Sequence, residues 1–316
     1  MAEKVTGEGP RSFDELQKRA LEYAREKGKA RLGVAAADDS CALEAAHDSW
    51  ELGIIEPILV GDPGKVKKAA SEENVDVSKW RMVESPDPVT SGRIAIELVR
   101  KGEVDFLMKG KLNTADLMRA ALDKDTGIRA GTLMSHIAIV STPEFGRLLC
   151  MSDGGIVMQP TLDDKVQIVQ NAVWAMHRLG WENPKVAIVC ALELVNPKMP
   201  QTVDAAALSK MNDRGQIKGC VVDGPFGFDN AISDVAAERK GIRSPIAGKA
   251  DLVVFSDIDV GNVFYKALYF MTDGVQNAGV LVGSKVPIVM PSRADGPDTK
   301  RNSIVAGAVI AQATRS

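Results

Sequence analysis

Apolar positions along the chain switch repeatedly between two spacings. "SFDELQKRALEYAREKG" places its apolar residues three and four apart and opens on Ser12 with Glu15 three residues later, so it predicts a helix with a capping box. "RLGVAAA" is a short continuous apolar run and predicts a buried strand. The alternation continues through helix "SCALEAAHDSWELGI", strand "EPILVGD", helix "PGKVKKAASEENV" and the extended "WRMVE". Next come helix "DPVTSGRIAIELVRKG", with Pro88 placed for a helix start, strand "VDFLMKG" and helix "TADLMRAALDK".

From Gly127 to Met158 the texture changes. Apolar bursts are broken by Ser, Thr, Pro and Gly, which predicts antiparallel strands or a hairpin. The alternation then resumes with helix "LDDKVQIVQNAVWAMHRLG", strand "KVAIVCAL", helix "TVDAAALSKMN" and strand "GCVVDGP". Helix "DNAISDVAAERKG", strand "ADLVVFSD", helix "GNVFYKALYFMTD" and strand "AGVLVGS" follow, and the chain closes on a strand, a polar turn and a helix within "VPIVMPSRADGPDTKRNSIVAGAVI". Regular strand–helix alternation predicts an α/β fold with mainly parallel sheets. The break near Gly127 is not rich in Gly and Ser, so it marks two lobes sharing a cleft rather than a floppy linker.

Length and composition narrow the class. The 316 residues fit two domains, and 45% hydrophobic with 26% charged residues is the balance of a soluble globular protein. Lys and Arg number 39 against 42 Asp and Glu, a net charge of -3, which gives no support for non-specific nucleic-acid binding, since that needs a strong basic face. Cys41, Cys150, Cys190 and Cys220 are far apart and contain no C-x-x-C, so reduced core thiols and a cytoplasmic location are expected. The N-terminus "MAEKVTGEGP" has no apolar signal-peptide core, and no apolar run reaches the length of a membrane span.

Ligands in open α/β sheets bind outside the carboxyl ends of strands. Polar residues that a core does not need were therefore sought there. Lys109 and Gly110 follow a strand, Asn113 or Thr114 is placed to cap the next helix, and Arg119 lies on that helix among apolar neighbours. An ordinary capped helix with a solvated arginine accounts for the same residues. Ser135 and His136 sit in an apolar segment, where a structural role is the commoner one; His47 and His177 lie on amphipathic helices. Asp229 and Asn230 are placed to cap a helix after "VVDGPFG", and Gly261 and Asn262 to begin another. Asp257 and Asp259 fit either a metal or, more simply, caps.

Ser292, Arg293 and Asp295 come together at the end of an apolar strand. The planar fork of an arginine matches phosphate oxygens in pairs, and a neighbouring hydroxyl adds a donor. Asp295 or Asp298 can take a proton or cap the following helix. The chain contains no G-x-x-x-x-G-K-[ST], no G-x-S-x-G and no G-x-G-x-x-G with a following acid, which leaves nucleotide-dependent oxidoreduction unsupported.

The stretches "MKGKLNTADLMRAAL", "MSHIAIV", "QPTLDDKVQIVQNA", "PKVAIVCALELVNPKMPQTVDA", "VVDGPFGFDNAIS", "AGKADLVVFSDIDVGNVFYKAL" and "VPIVMPSRAD" resemble the phosphate acetyl/butyryltransferase family, in the family's order and from about Ala35 to the end. Met108-Lys109-Gly110 and Ser292-Arg293-Ala294-Asp295 are closer to the butyryl branch. The resemblance implies short-chain acyl transfer through a ternary complex (acyl-CoA + phosphate = acyl phosphate + CoA), with no bound cofactor or metal and with CoA, acyl-CoA and phosphate as substrates. It implies two α/β lobes around a cleft, isocitrate/isopropylmalate dehydrogenase-like, with residues 1–127 plus 283–316 as the first lobe and 128–282 as the second. It also implies a homodimer or larger homo-oligomer without nucleic-acid or membrane partners.

By the same resemblance Ser292, Arg293, Asp295 and Asp298 are catalytic candidates. Lys109, Thr114, Arg119, Ser135, Asn230 and Asn262 are substrate-binding candidates. The register at which the acetyl branch carries its base falls on Thr299, beside Asp298, so the base is Asp295 or Asp298. Two other readings compete: a metal- and NAD-dependent dehydrogenase or decarboxylase on the same fold, and a silent CoA- or acyl-phosphate-binding module.

Overall fold

A computed structural model describes residues 9–131, 133–292 and 295–315. Helix α1 (Phe13–Lys27) leads into β1 (Ala30–Ala35), α2 (Ser40–Glu51), β2 (Ile55–Gly61), α3 (Pro63–Glu72), β3 (Arg81–Glu84), α4 (Pro88–Arg100), β4 (Phe106–Lys109) and α5 (Thr114–Ala121). A pair of strands, β5 (Ser135–Ser141) and β6 (Leu149–Ser152), precedes α6 (Leu162–Leu179), β7 (Lys185–Val189), α7 (Pro200–Asp213) and β8 (Val221–Phe226). Two short helices, α8 (Phe228–Ile232) and α9 (Asp234–Arg239), are followed by β9 (Leu252–Val254) and α10 (Ile258–Met271). The chain ends with β10 (Gln276–Val282), β11 (Ile288–Val289) and α11 (Pro297–Thr314).

Local chemistry sets the helix starts. The carboxylates of Asp39, Asp62 and Asp87 accept backbone N–H groups at the starts of α2, α3 and α4, and Pro88 occupies the first turn of α4 as its sequence predicts. Thr161 and Asp164 close a reciprocal capping box on α6. The single helix expected over 229–241 is instead two. Ser233 is extended (φ -125°, ψ 116°) and its hydroxyl accepts from Ala236 N, so the serine side chain replaces a helical turn with a new cap. Helix α10 begins at Ile258, ahead of Gly261, because Asp257 caps it by accepting from Val260 N at 3.1 Å.

The chain forms two compact units, one of Leu133–Val275 with the described residues before Phe13, the other of 13–131 with the segment from Gln276 onward. In the second of these the strand order is β3-β2-β1-β4-β11-β10, parallel except at β10–β11. The other carries β5-β6-β9-β7-β8, antiparallel at β5–β6, as the broken texture there predicts, and parallel elsewhere. Its core gathers Val140, Leu149, Phe226, Val253 and Phe255.

The C-terminal segment completes the unit that carries α1. Strand β11 lies parallel to β4, with Ile288 opposite Leu107 and Val289 opposite Met108. Helix α11 is buried almost all round from Thr299 to Gln312, covered in part by α1 and α2. It approaches β4 closely at Gly307, where an added Cβ would stand 2.9 Å from the Phe106 ring. The last residues are pinned as well. Lys27 Nζ donates to Gln312 O at 3.0 Å and to Arg315 O at 2.9 Å, and Arg315 pairs with Asp105 just ahead of β4. Among the described residues no helix is long and apolar enough to cross a membrane.

Candidate active site

Because β1, β4 and β11 are parallel, their carboxyl ends open on one edge of the sheet. A cavity of about 680 Å³ lies there, walled by residues 38–41 after β1, residues 109–113 after β4, Pro291 and Ser292 after β11, and Lys300 of α11. This is the place where open α/β sheets hold ligands.

Lys109, the last residue of β4, is only 7% exposed. Its Nζ stands 3.3 Å from both Gly110 O and Leu112 O, contacts that fix the ammonium in the wall. The turn after β4 is stitched to the turn after β1: Gly110 N donates to Ala35 O at 2.9 Å and Lys111 N to Ala36 O at 2.8 Å. Ala36 adopts a left-handed φ of 55° to present that carbonyl. The approach requires a glycine, since a Cβ on Gly110 would fall 2.2 Å from Ala36 O. Gly110→Ala therefore forces the two turns apart. We expect a stability loss of about 1–3 kcal/mol and a loss of any Lys109-dependent activity on the order of 100-fold from displaced geometry. Urea unfolding beside steady-state kinetics checks both; an unchanged kcat/KM would show that the turn does not position Lys109.

Ser292 is exposed beside the cavity, and its backbone N–H donates to Asp295 Oδ2 at 2.7 Å. Arg293 lies outside the described residues. Neither Asp295 nor Asp298 caps α11: the cap position is Gly296, with no side-chain cap bond. The Asp298 side chain is 81% exposed and paired with Arg301 at 2.9 Å. Helix α5 also starts without a side-chain cap. Asn113 holds the cap position but makes no capping bond, and Thr114 is the exposed first residue. The cap residues of both helices thus supply no side-chain acceptor, and helix starts attract anions.

Arg119 is exposed, pairs with Asp116 at 2.7 Å, and borders a neighbouring groove of about 510 Å³ with Arg93 and Arg100; Asp116 lines both hollows. Ser135, Asn230 and Asn262 belong to the unit of Leu133–Val275. The buried Ser135 hydroxyl accepts from Asn171 Nδ2 at 3.2 Å. Asn262 Nδ2 donates to Gly154 O at 2.9 Å. Asn230 Nδ2 donates to Glu193 Oε1 at 2.7 Å, and Lys240 bridges Glu193 and Asp229. The hydrogen bonds from Lys240 hold both of those carboxyls below their ordinary pKa range. Asp229 and Asn230 are not the cap of their helix, as expected from sequence, because Gly227 takes that position. Asp257 caps α10, and among the described residues no group of three or more His, Cys, Asp or Glu is placed to hold a metal ion.

Sequence reasoning passed over several residues of the cavity wall, Asp39 and Lys300 among them. Asp38-Asp39-Ser40 does follow an apolar strand and open a helix, so the rule that picked out Lys109 would have found Asp39. Lys300 gave no such signal in the polar run "PDTKRN".

The family model for phosphate acetyl/butaryl transferase matches residues 87–308. A phosphate acetyltransferase from Thermotoga maritima is 46% identical over 92% of this chain and 98% of its own. A phosphate butyryltransferase from Clostridium acetobutylicum is 45% identical over 95% of this chain and 98% of its own. A branched-chain phosphotransacylase from Enterococcus faecalis superposes with a TM-score of 0.78 at 27% identity, covering 91% of this chain and 100% of that one. A protein from Salmonella typhimurium described as a 4-hydroxythreonine-4-phosphate dehydrogenase reaches 0.56 at 13% identity over 89% and 99%, a likeness of fold alone. With the model spanning more than half the chain and relatives this similar over nearly all of it, the chain belongs to the phosphate acetyl/butyryltransferase family.

Proposed function

We propose that the chain transfers a short acyl group between CoA and inorganic phosphate in a ternary complex. The observation that carries the reading is the cavity at the carboxyl ends of β1, β4 and β11, with a buried lysine and an uncapped helix start, in a chain of this family. A phosphate oxygen attacks the thioester carbonyl carbon, the C–S bond breaks, its electron pair stays on sulfur, and the proton of hydrogen phosphate ends on the thiol. Lys109 and the N–H groups at the start of α5, where Thr114 stands, hold the phosphate dianion. Ser292 and Arg293 are assigned to stabilise the carbonyl oxygen as it turns negative. Asp295 relays the proton; Asp298 is occupied by Arg301. Arg119 meets substrate from its groove. Ser135, Asn230 and Asn262 enter the proposal as substrate-binding residues of their own unit, each with its side chain oriented by an internal hydrogen bond.

The test is to incubate the protein with phosphate and a series of acyl-CoA esters and follow free thiol. Release that requires phosphate or arsenate is expected, and the series reads the acyl length. Release independent of phosphate would make the protein a thioesterase. No release with any ester would favour the silent binding module. A dehydrogenase on this fold needs carboxylates gathered for a metal, and the described residues show no such group.

The finer architecture belongs to the same proposal. The two lobes, expected as 1–127 plus 283–316 and 128–282, are proposed to be the two compact units, with the changeovers moved to Leu133 and Gln276. The likeness to the dehydrogenase-like structure supports an isocitrate/isopropylmalate dehydrogenase-like fold. A homo-oligomer is supported by α10, which leaves Val263, Phe270 and Met271 exposed at 68%, 68% and 84% along one stripe. Sedimentation of the protein checks that. A reducing cytoplasmic setting suits four free cysteines, with Cys190 and Cys220 pushed up to about 11 by burial.

A further inference from the structure

We infer that Lys300 is a second phosphate-binding cation of the cavity, held ready by Asp39. The inference rests on the reading of that cavity as the phosphate site. Lys300 is 4% exposed and lines the cavity from the first turn of α11. Among the described residues its one ion pair is with Asp39 Oδ1 at 3.6 Å, beyond hydrogen-bond length, and no side-chain hydrogen bond satisfies its ammonium. Asp39 is itself engaged, because the same Oδ1 accepts from Ala42 N at 2.9 Å to cap α2. A buried ammonium has three N–H donors and is costly to leave without acceptors. An anion in the adjoining cavity supplies them.

The surroundings point to a phosphoryl group. Lys109, also buried, lines the same cavity, so two ammonium groups share its wall. The remaining charged wall residues, Asp38, Asp39, Glu72, Asp116 and Lys111, are all half-buried or exposed. A dianion with several acceptor oxygens can engage both cations, which a neutral acyl group cannot. Asp39 sits far enough away to orient the ammonium without occupying its donors. Its role is positioning, and Lys300 is the group that touches substrate. The anion assigned here is inorganic phosphate, or the phosphoryl end of acyl phosphate in reverse, rather than a phosphate of CoA.

Lys300→Met, Lys300→Arg and Asp39→Asn test this through separate KM values for phosphate and acyl-CoA. Losing a hydrogen bond to a charged group predicts a KM for phosphate about 10- to 100-fold higher in K300M. The KM for acyl-CoA should stay within about twofold, and K300R should recover part of the loss because it keeps the charge. Asn caps a helix as well as Asp, so D39N keeps the α2 cap while removing the charge that orients Lys300, and its KM for phosphate should rise, by less than in K300M. A phosphate KM unchanged in K300M, or a rise confined to acyl-CoA, overturns the inference. If K300M does not fold, D39N decides: an unchanged or lower phosphate KM overturns it. A binding measurement separates this inference from the function. Inorganic phosphate should raise the thermal midpoint of the wild type but not of K300M. That result in a protein without acyl-transfer activity would sink the proposed function and leave Lys300 as an anion ligand; equal stabilisation of both proteins would sink Lys300.

Discussion

Replacing Lys109 by methionine should lower kcat/KM for phosphate-dependent acyl transfer by about 100- to 1000-fold, the usual cost of removing one preorganised donor from a reaction centre. Methionine keeps much of the packed alkyl stem, so the thermal midpoint should move little compared with that loss. The size of the effect follows from burial. A 7%-exposed ammonium beside Gly110 O and Leu112 O acts across a poorly solvated wall, where charge interacts more strongly than in water. It also needs no reorganisation when phosphate arrives, since the stitched turns after β1 and β4 already fix it. Lys109→Arg keeps the charge but lengthens and flattens the head group in a turn with no room at Gly110, so it should recover only part of the activity. The check is kcat and KM for both substrates, with circular dichroism to confirm folding. A K109M enzyme within threefold of wild type would remove Lys109 from the centre and shift the phosphate site toward residues after β11.

What the sequence could reveal depended on which surface each residue faces. Strands such as Ala30–Ala35 and Phe106–Lys109 are short, mainly apolar runs between turn residues, and that pattern marked them. Lys109, Gly110 and Ser292 stood out because a polar residue at the carboxyl end of a buried strand has no packing reason to be there. The split between α8 and α9 was hidden because Ser233 is compatible with a helix interior, and its cap on Ala236 appears only in three dimensions. Helix α11 is the clearest case of lost information. Buried on nearly every face, it has no polar stripe, and its 3.6-residue period is therefore weak. Lys300 then reads as one more solvated charge at a helix start, although α11 turns it inward to the cavity. Asn230 shows the opposite error. Its place before a helical run looked like a cap, while the structure ties it sideways to Glu193 across 37 residues of chain.

Asp105 should matter most for stability. Its carboxylate, 8% exposed, accepts from Arg31 N at 2.6 Å, from Arg31 Nε at 3.0 Å and from Arg31 Nη2 at 2.6 Å, and pairs with Arg315 at the C-terminal end. It thereby joins β1, the start of β4 and the end of α11, the elements that bring Lys109 and Lys300 to one cavity. Burial acts to raise its pKa, but the hydrogen bonds from Arg31 and Arg315 outweigh burial and leave it below the ordinary aspartate value. Breaking a fully buried pair costs about 3–5 kcal/mol. Both arginines are partly solvated, so Asp105→Ala should cost about 2–3 kcal/mol, or roughly 4–12 °C in the melting temperature of this unit. The pH dependence has a definite sign. A carboxyl whose folded pKa is depressed contributes stability above its unfolded pKa, and that contribution disappears as pH falls through the folded value. The gap between wild type and D105A should therefore be constant from pH 7 to about pH 5 and narrow below about pH 4. Urea midpoints of the two proteins across that range measure it. A gap that widens in acid would mean that desolvation, not the two guanidinium groups, governs Asp105. A gap absent at every pH would mean that α11 is held against β4 by packing at Gly307 and its apolar neighbours alone.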